Sequence, residues 1–214
     1  MKAVDAVGDA AVELVTVSLT GDGRREQQIL KALAERYNGH DKLLQLPATV
    51  APLGHGNKQT GRFVGFSVLQ TIRTYFKFNY SKYLLLIDKE YIANSEDAPL
   101  EMKNELSALG FDPVNVATLK KQSFLIRCKL GSHNIMVHVV ICGEDKCVEE
   151  NIAELLFLEF RIRVEPKKPA IDQILKQKGT NLYGLIKNAE PNNLEKAFRD
   201  LVAAFKSIEK NQHC

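Results

Sequence analysis

Long apolar runs are what this sequence most plainly lacks. The longest, Tyr83 to Ile87 and Ile135 to Cys142, fall far short of the roughly 20 residues needed to span a bilayer, so no membrane helix is expected. Met1 to Ala11 holds one lysine, two aspartates and no sustained apolar core. That argues against a secretory signal peptide, predicts a frayed beginning and makes the cytoplasm the expected location. Cysteine is sparse: Cys128, Cys142, Cys147 and Cys214 are scattered, with no Cys-x-x-Cys pair. They read as reduced thiols, and a zinc site built on Cys142 and Cys147 would need two further ligands. A strong charge of one sign is missing too. The net charge of +3 permits nucleic-acid binding without arguing for it, because an electrostatic footprint is a concentrated stripe rather than a small surplus. Tryptophan is absent altogether. What remains is ordinary globular composition, 45% hydrophobic and 26% charged, over 214 residues. This suits one large domain, or one domain with a small appendage.

The pattern along the chain alternates strands with helices. Leu14 to Thr20 reads as a buried strand, Arg24 to Tyr37 as a helix with Ile29, Leu30, Leu33 and Tyr37 on one face, and Lys42 to Leu46 as a second strand. The segment PATVAPLGHGNKQTGR that follows is a long irregular loop with two prolines and three glycines, a length more often functional than structural. Phe66 to Phe78 has the spacing of an amphipathic helix, and Tyr83 to Ile87 is an apolar strand. A helix over Pro99 to Leu109 stops at Gly110, before a further short strand at Asp112 to Val116. Ser123 to Lys129 and Asn134 to Cys142 read as an antiparallel hairpin, with Ile135, Val137, Val139 and Ile141 on one face and Met136, His138 and Val140 on the other. A helix over Val148 to Phe160, a basic proline-marked connector and an amphipathic helical tail complete the chain. The expected fold is α/β, a mostly parallel sheet flanked by helices, with an antiparallel hairpin and a helical C-terminal tail. The expected division is a core over residues 1–146 and a helical extension over 147–214 packed on it.

Ligands on such sheets sit beyond the carboxyl ends of the strands. That rule selects Gly21 to Glu26, after the first strand, and Asp88 to Glu90, after the central one. In LLLIDKEY, Asp88 and Glu90 are two residues apart, so an extended chain aims both carboxylates to one side. Converging carboxylates repel unless a cation neutralises them, and oxygen-only ligation suits Mg²⁺ or Mn²⁺. Asp22 and Glu26 are the natural complement from a neighbouring strand. Ordinary structure can explain the same residues, since acids are favoured at helix N-termini and often begin turns. The glycines are a weaker lead: LTGDGRREQ lacks both a dinucleotide fingerprint and a P-loop ending, and GHGNKQTGR, Gly54 to Arg62, has the wrong spacing for a P-loop. A backbone nest with Lys58 still leaves nucleotide binding open there. Beside a metal site, Lys58 and Arg62 become candidate phosphate contacts. His40, His55, His133, His138 and His213 lie far apart, and no serine sits in a Gly-x-Ser-x-Gly context.

The order of these features resembles the Toprim domain, shared by topoisomerases, bacterial primases, small RNA-maturation nucleases and the overcoming-lysogenization-defect nucleases. Its first strand ends in Glu-Gly before a helix, and a later strand ends in Asp-x-Asp. GDGRRE is similar to the first motif, with Asp22 in place of the glutamate and Gly23 matching the glycine; Glu26 falls where many stand-alone members carry a second acid. IDKEY is similar to the second, with Asp88 matching and Glu90 replacing the final aspartate. Both departures keep a carboxylate and change its reach. VVICGEDKCVEENIAELL resembles the acid-led helix of a stand-alone prokaryotic Toprim-related family, with Glu149 or Glu150 in the acid position, although that helix's typical tryptophan is missing.

The resemblance implies a Toprim- or Rossmann-like fold and Mg²⁺- or Mn²⁺-dependent chemistry on DNA or RNA phosphodiesters, nuclease-like or confined to binding. Asp22, Glu26, Asp88 and Glu90 would hold metal, Glu149 would be a further ligand or base, and Arg24, Lys58 and Arg62 would meet phosphate. The connector cations Arg161, Arg163, Lys167 and Lys168 form a solvated face or track a nucleic-acid backbone. Two alternatives stay open. One is a catalytically silent interaction module, whose tail stripe of Leu194, Phe198, Leu201 and Phe205 serves a protein partner or a homodimer; the other is a nucleotide-binding protein using the Gly54 to Arg62 loop.

Overall fold

The computed structural model describes residues 2–4, 15–19, 24–37, 43–45, 65–76, 80–92 and 96–210. Its strands are β1 (Lys2–Val4), β2 (Val15–Leu19), β3 (Leu43–Gln45), β4 (Lys82–Asp88), β5 (Asp112–Lys120), β6 (Ser123–Leu130) and β7 (His133–Cys142). They form one sheet in the order β1-β3-β2-β4-β7-β6-β5. The chain is thus α/β, but the sheet is mixed rather than mostly parallel. Parallel pairing runs from β1 to β7, whereas β5, β6 and β7 make an antiparallel meander. The meander supplies the three longest strands, because tight turns at Lys121–Gln122 and Gly131–Ser132 let consecutive segments pair over 8 to 10 residues. Gly131 sits at φ 59°, the left-handed region that glycine enters without strain.

Two further expectations need correction. The frayed beginning includes strand β1, which pairs with β3 through Lys2↔Leu43 and Val4↔Gln45. Backbone hydrogen bonding to an open sheet edge needs no apolar periodicity, so three residues suffice. The helix expected over Phe66 to Phe78 is divided into a 3₁₀ segment, Gly65–Gln70, and α2 (Thr71–Phe76). Phe66, Leu69 and Ile72 recur every third residue, the period of the tighter helix, and all three are buried.

The remaining helices are α1 (Arg24–Arg36), α3 (Ala98–Ala108), α4 (Val148–Phe160), α5 (Lys168–Gln177), α6 (Leu182–Asn188), α7 (Pro191–Ala197) and α8 (Arg199–Lys210). Alternation along β4 and β7 divides the core into two layers. Leu84, Leu86, Val140 and Cys142 face α1 and α4 to α8. Tyr83, Leu85, Ile87, Ile135, Val137, Val139 and Ile141 face α2, α3 and the 3₁₀ segment, as the alternation in β7 predicts. The tail stripe Leu194, Phe198, Leu201 and Phe205 belongs to the first layer and is buried in this chain's own core. Polar contacts hold α1 to the tail: Arg36 donates to the carbonyls of Lys187 (2.8 Å) and Ala189 (2.6 Å) at the end of α6. Among the described residues no helix is long and apolar enough to cross a membrane.

Candidate functional site

The placement of Asp88 follows from β4. Five consecutive buried residues, Tyr83 to Ile87, fill both layers, and the strand ends where a carboxyl would otherwise enter them. Strand β4 lies between β2 and β7 and is parallel to both, with Leu19 opposite Leu85 and Asp88 opposite Cys142. The carboxyl ends of all three strands therefore share one edge of the sheet. Asp88 Oδ1 accepts a hydrogen bond from the Val148 N–H at 3.1 Å, satisfying a free donor in the first turn of α4, where the N-cap Cys147 offers no side-chain bond. Lys89–Tyr91 then forms a 3₁₀ turn, which the Glu90 N–H ties to the Lys146 carbonyl at 2.8 Å.

Burial pushes the Asp88 carboxyl up to about 7, against the lowering effect of the Val148 bond. The negative charges of Glu26, Glu149 and Glu90 add to the rise. The three come from different elements: Glu26 from the first turn of α1, Glu90 from the turn after β4, and Glu149 from the first turn of α4.

Glu149 is 6% exposed. Arg25 Nε at 4.0 Å and Lys168 Nζ at 3.8 Å stand at the limit of ion pairing, and the buried Oε1 receives no hydrogen bond. Arg25 Nη2 is committed elsewhere, to Asp172 (2.6 Å) and the Lys168 carbonyl (3.1 Å), while its buried Nη1 has no partner. Burial and the Glu149 carboxylate push the neighbouring Cys147 thiol up to about 12, so it is no thiolate near neutral pH. Glu150 behaves differently: its Oε2 accepts from the N–H groups of Glu144 (2.7 Å), Asp145 (2.9 Å) and Lys146 (3.2 Å), and so fixes the loop after β7. Of the two residues that matched the acid position, Glu149 faces the site and Glu150 shapes the loop. That loop passes so close to α4 that a Cβ on Gly143, at φ 89°, would lie 2.5 Å from the Cys147 nitrogen.

The structure thus brings Glu26, Asp88, Glu90 and Glu149 into one electrostatic neighbourhood. Among the described residues no three His, Cys, Asp or Glu side chains gather closely enough to hold a metal ion. Asp22, Lys58, Arg62 and the whole Gly54 to Arg62 loop lie outside the described residues, and Arg24 opens α1. The connector cations have local partners: Arg161 and Arg163 flank the Phe157 ring at 5.8 and 5.4 Å, Lys167 pairs with Glu165, and Lys168 with Glu149. His138 is a core residue, 1% exposed, whose Nε2 meets Ser207 Oγ at 3.1 Å; burial lowers it to about 3 and keeps it neutral. Burial also raises the Cys128 thiol to about 12 and the Cys142 thiol well above its ordinary range.

Sequence reasoning missed a second polar cluster beside the first. Asp200, in the first turn of α8, is 7% exposed; its Oδ1 accepts from the Gln122 N–H at 2.5 Å and its Oδ2 from Arg199 Nε at 3.0 Å. Asn151 accepts from the Gly143 N–H (2.9 Å) and donates to the Ala197 carbonyl (2.8 Å). These residues border a cavity of about 370 Å³ at the end of β7. An aspartate at the second position of a helix was the available signal, but it reads as an ordinary helix-start acid until the tail is folded onto the β5–β6 turn. No family model, curated protein or solved structure matches this chain, so its reading rests on this geometry.

Proposed function

We propose that the strand-end carboxylates form a divalent-cation site for nucleic-acid phosphodiester chemistry, as the Toprim-like GDGRRE and IDKEY motifs imply. The observation that carries this reading is the convergence of acids from three elements on Asp88, whose carboxyl their charges help to raise. A fold gains nothing in stability from gathering like charges at a half-buried carboxyl, and perturbed carboxyls at strand ends are characteristic of working sites. The donor set is all oxygen, which suits Mg²⁺ or Mn²⁺, and the buried Glu149 Oε1 lacks a hydrogen bond that a cation would replace. Asp88 would be the first holder, with Glu26, Glu149, Glu90 and Asp22 from the loop before α1 drawn in around the ion, since no three described acids already stand close enough to bind one. When bound, the ion would stabilise charge on a phosphoryl group and activate water. The chain's own contribution is orientation: the Val148 N–H fixes one oxygen of Asp88, and Arg25 and Lys168 stand beside the Glu149 carboxylate while leaving Oε1 without a hydrogen bond.

The test is Mn²⁺-dependent cleavage of single- and double-stranded DNA and RNA by the wild type, Asp88→Ala and Glu149→Gln. Cleavage lost in Asp88→Ala and strongly reduced in Glu149→Gln is expected. Cleavage at the wild-type rate in Asp88→Ala, or none on any substrate, would sink the enzymatic reading.

One observation favours a second reading, a catalytically silent interaction module. Glu149 has two cations within ion-pairing range, Arg25 and Lys168, and can serve as a joint between α1, α4 and α5. On that reading Mn²⁺ neither binds nor stabilises the protein, and Glu149→Gln lowers stability without touching any activity.

A further inference from the structure

We infer that the groove between α8 and strands β5 and β6 binds the phosphodiester backbone of a nucleic-acid strand and leads it toward the strand-end acids. This rests on reading those acids as a phosphodiester site. The groove has a volume of about 640 Å³ and an aliphatic floor that includes Leu119, Leu125 and Val202. Cations form two facing rows, Lys120 and Arg127 on the strands and Arg199, Lys206 and Lys210 on the helix. Glu195 is the one carboxylate of the lining among the described residues, and Lys206 neutralises it at 2.6 Å. Arg199 is held by Glu144 and Asp200, whereas Lys120, Arg127 and Lys210 form no ion pair among the described residues. Three uncompensated cations in one groove are the concentrated basic footprint that the small net charge conceals.

Spacing fits an extended polyanion. Arg199, Lys206 and Lys210 recur at 7 and 4 residues, on one face of α8, and span roughly 16 Å at 1.5 Å per residue. At about 3.4 Å of rise per phosphate in a strand, that covers several nucleotides. Among the described residues the lining contains no aromatic side chain to act as a platform for base stacking, so contact is to the backbone, indifferent to sequence. An acidic peptide would meet the same cations. Continuity favours the nucleic acid: Arg199 also borders the cavity at the end of β7, whose Cys142 is the register partner of Asp88, so a strand in the groove is aimed at the acidic edge.

The experiment is fluorescence anisotropy in EDTA, where neither a cation nor cleavage contributes. The probes are labelled oligothymidylate of about 20 nucleotides, its RNA counterpart and a duplex of the same length, longer than the roughly 4–16 nucleotides that a single-strand-binding OB fold covers. Salt runs from roughly 50 to 200 mM. The wild type is expected to bind with affinity falling as salt rises. Arg127→Glu/Lys210→Glu should bind at least about tenfold more weakly, with a salt slope reduced by about two phosphates. The milder Arg127→Gln/Lys210→Gln covers the case in which charge reversal misfolds the chain. Comparison of single strand with duplex identifies the source of the backbone. Wild-type affinity in both double variants, or no binding of any probe at low salt, would overturn the groove. Poly-glutamate displaced by the same substitutions while oligonucleotides fail would assign it to an acidic protein segment instead. Groove binding that persists without any Mn²⁺-dependent cleavage would defeat the catalytic reading and leave the groove standing.

Discussion

The carboxyl ends of β4 and β7 are hydrogen-bonded neighbours, Asp88 beside Cys142, yet they treat acidic side chains in opposite ways. At the end of β7 three acids are answered by donors: Asp200 by Gln122 N–H and Arg199, Glu150 by three backbone N–H groups, Glu144 by Arg199 and Lys121. At the end of β4, Asp88 has one backbone donor and the charges of three further carboxylates. The first arrangement is what a chain does with acids it needs for structure. The second costs stability, which is why it, and not its better-formed neighbour, is read as the working site. Glu149 and Glu150 repeat the contrast at adjacent positions: the buried one has an oxygen without a hydrogen bond, and its neighbour receives three.

The contrast can be broken by substitution. Asp200→Ala should cost the most, about 2–3 kcal/mol, because it strands the buried Gln122 N–H and removes a charge-assisted bond. Urea unfolding measures this, and a loss near zero would mean the β7 end is not structural.

Asp88→Asn should do the reverse above neutral pH. The folded carboxyl titrates near about 7, above its ordinary 3.8, so as pH rises the unfolded chain releases its proton first. Wild-type stability accordingly falls between about pH 4 and about pH 7 and then levels off. Asparagine keeps an acceptor for Val148 and removes that dependence. Near about pH 8 it should be the more stable by roughly 1–2 kcal/mol, after allowance for solvent screening of a half-buried group. Parallel pH profiles of melting temperature for the two proteins would contradict the like-charge account. Glu150→Gln should have the smallest effect, a loss of about 1 kcal/mol, since a neutral oxygen accepts the same three N–H groups more weakly.

Much of the sheet was legible because its pattern is local. The helix Val148–Phe160 and the hairpin of β6 and β7 follow directly from periodicity and from the turn at Gly131. The strand-end position of Asp88 was equally legible, because an apolar run that ends in a charged residue marks where the strand leaves the core. What escaped depends on contacts between distant segments. Gln122 and Asp200 are 78 residues apart, and Arg127 meets α8 only after the tail folds back over the sheet. Arg161 closes α4 in the left-handed conformation at φ 59°, where glycine is usual, yet the basic, proline-marked connector that follows still marked the helix end. The basic groove was invisible because its two rows come from segments nearly eighty residues apart, each an ordinary solvated face by itself.

The central claim, that the acids gathered at the end of β4 are a cation site, is tested most directly by Mn²⁺ titration followed by electron paramagnetic resonance near neutral pH. Wild type and the Arg127→Glu/Lys210→Glu variant should bind alike. Asp88→Asn should bind at least about tenfold more weakly, a difference of about 1.4 kcal/mol for the loss of one charged ligand. Equal, weak binding by the wild type and Asp88→Asn would contradict it.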